Sequence, residues 1–410
     1  MRRKLICICS TAFLASSNVD AQSTVTLYGL IDAGVNYVSN AQVGRNPDGS
    51  LAGKSLVSVS DGAARGLGGS RWGLTGTEDL GGGLSALFTL ESGFTINNGA
   101  LSQGGAAFGR QVFIGFSGPF GTVTAGRQYD TQGYFYAPYT PYSIVGVTGA
   151  LPGDVDGLGH VRRTNNAIKY LSKAYGGFSF GGMYSLGGRA GDFTSSQVWA
   201  LGASYTSGPF SVGLGYYNAR DPNVASFGNN PNQGSSTMNN LGSFGSATAT
   251  QSNPIYAGYA SAHTFEIYSG GLSYKLGNAT FALAFSHSAF KSLGDLESGP
   301  NPLGYHGTAV FNNGLATASY MFTPALQAGA GFTYTRGGGV NGLGGVRYYQ
   351  GILGVQYFLS KRTELYAFGV YQDASGTDSL GQPAVANIEL MTPSSTSHQF
   401  VGRMGVVHRF

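Results

Sequence analysis

Apolar residues recur at every second position in stretch after stretch of this chain. Phe281, Leu283 and Phe285 alternate with Ala282, Ala284 and Ser286, and Phe210, Val212, Leu214 and Tyr216 alternate with Ser211, Gly213 and Gly215. Leu326, Ala328, Ala330, Phe332 and Tyr334 stand in the same way against Gln327, Gly329, Gly331, Thr333 and Thr335. A period of two marks β-strands with one apolar face. The other face is small or polar. A sandwich buries its apolar face and a barrel in lipid exposes it, so alternation alone leaves both architectures open.

The connections separate them. About sixteen candidate strands, a usual number for water-filled barrels, begin near Thr24, Ser70, Leu84, Arg110, Gly121, Asn165, Phe178, Gln197, Phe210, Glu266, Ala279, Leu315, Leu326, Arg347, Thr363 and Gln399. Short joints read TEDLGGG (Thr77 to Gly83), SGPFG (Ser117 to Gly121), KAYGG (Lys173 to Gly177), TSGP (Thr206 to Pro209), LGNA (Leu276 to Ala279), FTPA (Phe322 to Ala325) and LSKR (Leu359 to Arg362), each suited to a hairpin turn. Between them lie long connections rich in Gly, Asn, Ser and Pro: Ser39 to Gly69, Tyr129 to Val161, Ala219 to Thr264, Ala289 to Asn313 and Asp373 to His398. Tight turns at one end and long loops at the other are the layout of an outer-membrane barrel, with the turns toward the periplasm. A Greek-key sandwich has no reason to segregate loop length. The pattern predicts an all-β fold, a transmembrane antiparallel β-barrel of sixteen strands in a single domain over residues 22–410.

Composition agrees. Charged residues are 10% of the chain against about 25% in an average soluble domain, while 68 of 410 residues are glycine and Tyr and Phe number 25 each. Residues 1–21, MRRKLICICSTAFLASSNVDA, combine a basic start, a short apolar run and small residues at Val19 and Ala21, which reads as a secretory signal peptide cut before Gln22. Cys7 and Cys9 both fall within it, so the exported chain is expected to hold neither a disulfide nor a thiolate metal site. The formal charge of +4 drops to +2 without Arg2, Arg3, Lys4 and Asp20, which gives nucleic acid no support as a partner. Beyond residue 21 no run of about 18 apolar residues occurs, which excludes a transmembrane helix.

Strand parity assigns faces. Trp72 and Leu74 face out, so Arg71, Gly73 and Thr75 face the lumen; Ile168 and Tyr170 face out, which leaves Arg163, Asn165 and Lys169 inside. Arg403 and Arg409 on the last strand point inward for the same reason, as do Asp32 and Glu91. An arginine facing acyl chains costs about 2 to 4 kcal/mol at the midplane, so these are also the favourable placements. Placing Arg110 inside carries Val112, Ile114 and Phe116 inside with it, where an inward loop would have to bury them. Arg127 falls outside, because Val123 and Ala125 face out on its strand, and a subunit contact is the expected reason, with Gly29, Ala86 and Gly115 small on the outward side.

Several stretches carry a family resemblance: QSTVTLYGLIDAG (Gln22 to Gly34), SRWGLTGTEDLGGGLSALFTLESGF (Ser70 to Phe94), GRQVFIGFSGPFGTVTAGRQYD (Gly109 to Asp130), RTNNAIKY (Arg163 to Tyr170), LSKRTELYA (Leu359 to Ala367) and the final VVHRF. Together they resemble the trimeric general porins of Gram-negative bacteria, in their betaproteobacterial branch. The resemblance implies a homotrimer in the outer membrane, passive diffusion of small hydrophilic solutes and ions, and a third long loop folded into the barrel. It also implies a basic cluster on the wall at Arg71, Arg110 and Arg163, facing loop acids for which Asp130, Asp154 and Asp156 are available, with GDVDG the best match to the family's acidic stretch. Each arginine has a plainer alternative, as a solvated lumen residue or a strut for the loop. Leu30 stands where the family often has lysine, which softens the basic side.

Other chemistries have little to stand on. GDVDG lacks the further acids of a calcium loop, and GGGVNG (Gly337 to Gly342) joins two strands with no helix to bind a nucleotide. No cofactor is expected. His287 lies between Ser286 and Ser288, but parity turns it from both, so hydrolase chemistry lacks its geometry. The long connection from Ala219 to Thr264 supports one alternative function, a surface adhesin or receptor barrel with an incidental pore.

The closing strand ends on Phe410, expected at the periplasmic rim of the outer-membrane lipid beside the first strand, where aromatic girdles sit. The resembled family also uses a terminal aromatic as the mark read by the outer-membrane assembly machinery. Deleting Phe410 should therefore lower the amount of folded protein in outer-membrane fractions while the molecules that do insert keep their single-channel conductance.

Overall fold

The structure, a computed structural model, describes residues 23–62, 66–159, 163–188, 190–223, 253–337, 339–342 and 344–410. The leader expected at residues 1–21 and most of the connection from Ala219 to Thr264 lie outside the described residues. Seventeen strands join in one antiparallel sheet. They are β1 (Ser23–Arg45), β2 (Leu51–Asp61), β3 (Arg71–Gly81), β4 (Leu84–Gly93), β5 (Gln111–Gly118), β6 (Gly121–Gln128), β7 (Thr164–Leu171), β8 (Phe178–Ser185) and β9 (Val198–Ser207) in the first half. The second half holds β10 (Phe210–Arg220), β11 (Thr264–Leu276), β12 (Ala279–Leu293), β13 (Gly307–Thr323), β14 (Leu326–Gly337), β15 (Val346–Phe358), β16 (Thr363–Gly376) and β17 (His398–Arg409).

Sixteen of these strands close into a barrel, because each of β3 to β16 pairs with its successor and β1 pairs with both β17 and β3. Closure gives each of these sixteen strands a partner on both sides, the condition for a sheet in lipid. The seventeenth strand corrects an expectation. Where a loop was expected from Ser39 to Gly69, β1 runs on to Arg45 and turns at residues 46–50 into β2, which pairs back along it. Its LVSVS alternation is a genuine strand signal inside a Gly- and Ser-rich stretch.

The barrel is inside-out relative to a soluble fold. Leu214, Leu283, Leu353 and Met404 stand exposed on its outer face, while Ser286, Asn313, Thr335, Gln350 and Gln372 are buried toward the lumen. Val112, Ile114 and Phe116 also face out, against the placement inferred from Arg110. Arg110 lies before β5 begins, so strand parity does not reach it, and its side chain folds over the rim to Glu91. Gly115 consequently points inward, and Gly29 and Ala86 remain outward.

The lumen is filled from one side. After β6 the chain enters the barrel and forms α1 (Thr131–Tyr136) and α2 (Tyr142–Val145) before returning to β7. The inner face of β9 to β11 carries Gly202, Gly213, Gly215 and Gly271, and a Cβ at any of them would strike Gln132, Phe135 or Tyr139. Missing side chains on the wall thus form the seat for the loop. Farther along, Ile144 lies against Gly329 and Gly354 on β14 and β15, and the Gln350 Nε2 donates to the Ala150 carbonyl at 3.2 Å. Residues 253–263 enter the lumen as well: Ile255, Tyr256 and Tyr259 join Leu151, Val155, Phe265 and Phe290 in one buried cluster.

The seam between β1 and β17 is fastened twice. Arg403 and Asp32, both without solvent exposure at their side chains, form an ion pair at 2.9 Å. The same guanidinium donates to Asn36 Oδ1 at 2.7 Å and Ser60 Oγ at 2.8 Å, and Tyr366 donates to Asp32 Oδ1 at 2.6 Å. At the periplasmic end, Phe410 exchanges backbone hydrogen bonds with Gly29 at 3.0 and 3.1 Å, and its ring lies where a Gly29 side chain would be. Removing one partner of a buried pair leaves the other charge stranded, at a cost of about 3 to 5 kcal/mol. Arg403→Met should therefore lower the temperature of the folded-to-unfolded gel shift markedly, and adding Asp32→Asn should recover part of the loss; Arg409→Ala, which leaves the buried Glu364 without its half-exposed partner, should lower it less.

On the extracellular side Asp221 Oδ1 and Asp295 Oδ2 each lie 3.0 Å from His263 Nδ1, and Ser298 Oγ donates within the same group. Burial opposes charge on Asp295, yet the Ser298 hydroxyl, the Glu297 amide and His263 together hold its carboxyl below the usual range. A depressed carboxyl stabilises the folded loops above its unfolded pKa, and that contribution is lost as pH falls through the folded value. Hydrogen exchange at the Glu297 and Ser298 amides should accelerate, beyond its intrinsic pH trend, on acidification below about pH 4, and Asp295→Asn should abolish that dependence.

Candidate functional site

Three arginines converge where the inward loop meets β3 to β7. Arg71 begins β3 and Arg110 precedes β5, so both approach Glu91, which β4 turns inward. Arg110 Nε donates to Glu91 Oε1 at 2.7 Å, Arg71 Nε lies 3.5 Å from Oε2, and Tyr28 donates to the same carboxylate at 3.0 Å. Arg163 stands just before β7 and joins the other two through Tyr129. The Tyr129 hydroxyl oxygen accepts from Arg110 Nη2 at 2.9 Å and from Arg163 Nη2 at 2.7 Å, and the Arg163 guanidinium lies 4.8 Å from the centre of the ring. Lys169 reaches the same turn and donates to the Tyr129 carbonyl at 3.0 Å.

Charge and exposure are unequal within the cluster. Arg71 keeps 28% of its side chain exposed, whereas Arg110 and Arg163 are buried. A planar guanidinium cannot be neutralised by burial and must be satisfied by acceptors, here one carboxylate and one phenol. Glu91 thus pairs with two of the three guanidiniums, and Tyr129 ties the third to them.

The loop aspartates make bonds within the loop and to the far wall. Asp130 caps α1 by accepting from the Gly133 amide at 2.7 Å, Asp154 accepts from the Gly159 amide at 2.7 Å, and Asp156 accepts from Ser286 of β12 at 3.0 Å. All three are buried. The acid that pairs with Arg71 and Arg110 therefore sits on the wall, at Glu91, and the aspartates shape the loop and anchor it to the far side. Sequence reasoning counted Glu91 as a lumen residue and missed Tyr129, which is the hub of the cluster; an aromatic next to the loop's first acid was the available signal.

The other lumen positions divide. Asp32 and Arg403 point inward but are sealed in the seam beneath the descent from β2, so they do not meet solvent. Arg409 stays at the periplasmic mouth, paired with Glu364 at 2.7 Å and half-exposed. Arg127, expected at a subunit contact, also makes bonds within its own chain: it donates to the carbonyls of Gly109 at 2.9 Å and Arg163 at 3.4 Å and to Asn165 Oδ1 at 2.5 Å. A shift of register between Gly126 and Gln128 turns it along the rim, tying both ends of the inward loop's entry.

Known proteins share the fold of this chain. A family model described as Gram-negative porin matches residues 8–377. An outer membrane porin protein of Bordetella pertussis is 32% identical over 404 residues, covering 90% of this chain and 94% of that one. The major outer membrane protein P.IA of a Neisseria meningitidis serogroup B strain is 27% identical, with the same shares covered. Among solved structures, the anion-selective porin from Comamonas acidovorans superposes with a TM-score of 0.68 at 22% identity, covering 95% of this chain and all of that one. The trimer form of OmpT from Vibrio cholerae gives 0.61 at 16% identity, covering 95% and 99%. With its closed sixteen-stranded barrel and family match, the chain belongs to the Gram-negative porins, and its place is the outer membrane.

Proposed function

We propose that this protein is a general diffusion channel for small hydrophilic solutes and ions, working as a homotrimer, with an eyelet that favours anions. The observation that carries the preference is the cluster itself: three guanidiniums and Lys169 border the inward loop, Arg71 keeps part of its side chain exposed, and the nearby acids Glu91 and Asp130 are both buried. A narrow aqueous gap between low-dielectric walls focuses such a field. Arg71 is the exposed member and meets a passing anion first. Dipolar solutes turn their negative end to that wall. The trimer rests on family membership and on the solved trimer form of OmpT.

Purified protein in planar bilayers should give stepwise conductance, and reversal potentials in a salt gradient should show anions permeating ahead of cations. An elementary charge about 7 Å from an ion in water attracts an anion and repels a cation by about 0.6 kcal/mol each, so Arg71→Ala should lower the anion-to-cation permeability ratio by a factor of about seven. An unchanged ratio in Arg71→Ala and Arg163→Ala alike removes the basic wall from selectivity, and absence of steps removes the channel. Cross-linking of the native protein should trap three chains.

A further inference from the structure

Arg336 is the penultimate residue of β14 and Arg347 the second residue of β15, and the two are direct partners in the ladder. Both are exposed and share the outward parity of Phe332, Tyr349 and Leu353, which the barrel presents to lipid. Their strands leave the FTPA turn and return to the LSKR turn at the periplasmic end, so the arginines stand at the extracellular rim. The next outward residues below them are Tyr334 and Tyr349, whose ring centres are 5.0 Å apart. Deeper still come Phe332 and Leu353. One outward step along a strand is about 7 Å. Aliphatic side chains, then paired tyrosines, then paired guanidiniums follow the passage from acyl chains through the aromatic belt to the headgroups.

Like charges directly opposite each other destabilise an antiparallel pair. No ion pair or hydrogen bond engages either guanidinium among the described residues. The neighbouring charges do not relieve them. Lys291, the cation of the same rim on β12, is held by Glu266, and Asp373 lies opposite Tyr349, one row below Arg347 and unbonded to it. A bound anion would turn the repulsion into a bridge, and two adjacent guanidinium forks suit the several oxygens of a phosphate.

We infer that Arg336 and Arg347 form a binding site for a phosphorylated lipid headgroup of the outer leaflet, one phosphate bridging the two strands. The tyrosine and phenylalanine steps below select a lipid over dissolved phosphate, because they contact the acyl chains attached to that headgroup. The site lies on the outer wall and is independent of the eyelet, so conductance reports on folding while lipid retention reports on the site.

The test titrates the purified full-length protein in detergent with bis-phosphorylated lipid A and counts bound lipid by native mass spectrometry. At roughly a factor of five per arginine near a charged surface, each alanine substitution should weaken retention about fivefold and Arg336→Ala with Arg347→Ala about thirtyfold. Single-channel conductance should be unchanged. Lipid A stripped of its phosphates should bind the native protein no better than the double variant binds the intact lipid. Undiminished retention by the double variant, equal binding of the stripped lipid, or complete displacement by inorganic phosphate overturns the inference. If the alanine pair fails to insert, Arg336→Gln with Arg347→Gln, which keeps length and polarity, decides by the same readings.

Discussion

Every backbone amide and carbonyl that enters the hydrocarbon layer must find its partner within the protein, because no water is there to accept it. In this chain that requirement falls on the seam. Fifteen neighbouring pairs form between strands close in sequence, but the barrel exists only once β1 meets β17 across nearly the whole chain. The closing pair is reinforced accordingly. A wholly buried Arg403–Asp32 ion pair with Asn36, Ser60 and Tyr366 around it locks the extracellular half, and Phe410 bonded to Gly29 locks the other. A buried charge network tolerates little slippage, since any other register would strand it. It therefore fixes which residues of the two strands face each other.

Closure also explains the asymmetry of the lumen. Once the wall is a ring, the inward loop must rest on some part of it, and the glycines on β9 to β11 mark where. Aromatic packing with residues 253–263 consolidates that side. Opposite it, beside β3 to β7, the arginines are spaced by the register of adjacent strands and held by Glu91 and Tyr129. Function here follows from what the wall lacks on one side as much as from what it carries on the other.

The outer surface obeys a second vertical order. Apolar side chains cover the membrane zone, tyrosines crowd its edges, and charged groups appear beyond them. Glu266 and Lys291 neutralise each other at the extracellular rim, which throws the unneutralised Arg336 and Arg347 into relief.

Much of this was legible in the sequence, because a period of two and the contrast between TEDLGGG-like turns and long loops are local properties of the chain. They determined the all-β class, sixteen staves, and which face each of Arg71, Glu91, Lys169 and Arg403 presents. Parity failed where the chain ceased to be regular. Arg110 sits before its strand and Arg127 at a shift of register, so counting by twos gave the wrong face to Val112 and did not reach the bonds that Arg127 makes within its own chain. β2 was hidden by its own Gly and Ser content. What only the tertiary structure decided is which inward groups meet. An inward side chain is equally inward whether it is sealed like Asp32, committed to a loop like Asp156, or open to solvent like Arg71. That difference depends on where the loop lies in three dimensions, and contacts between residues far apart in the chain leave no periodic trace in it.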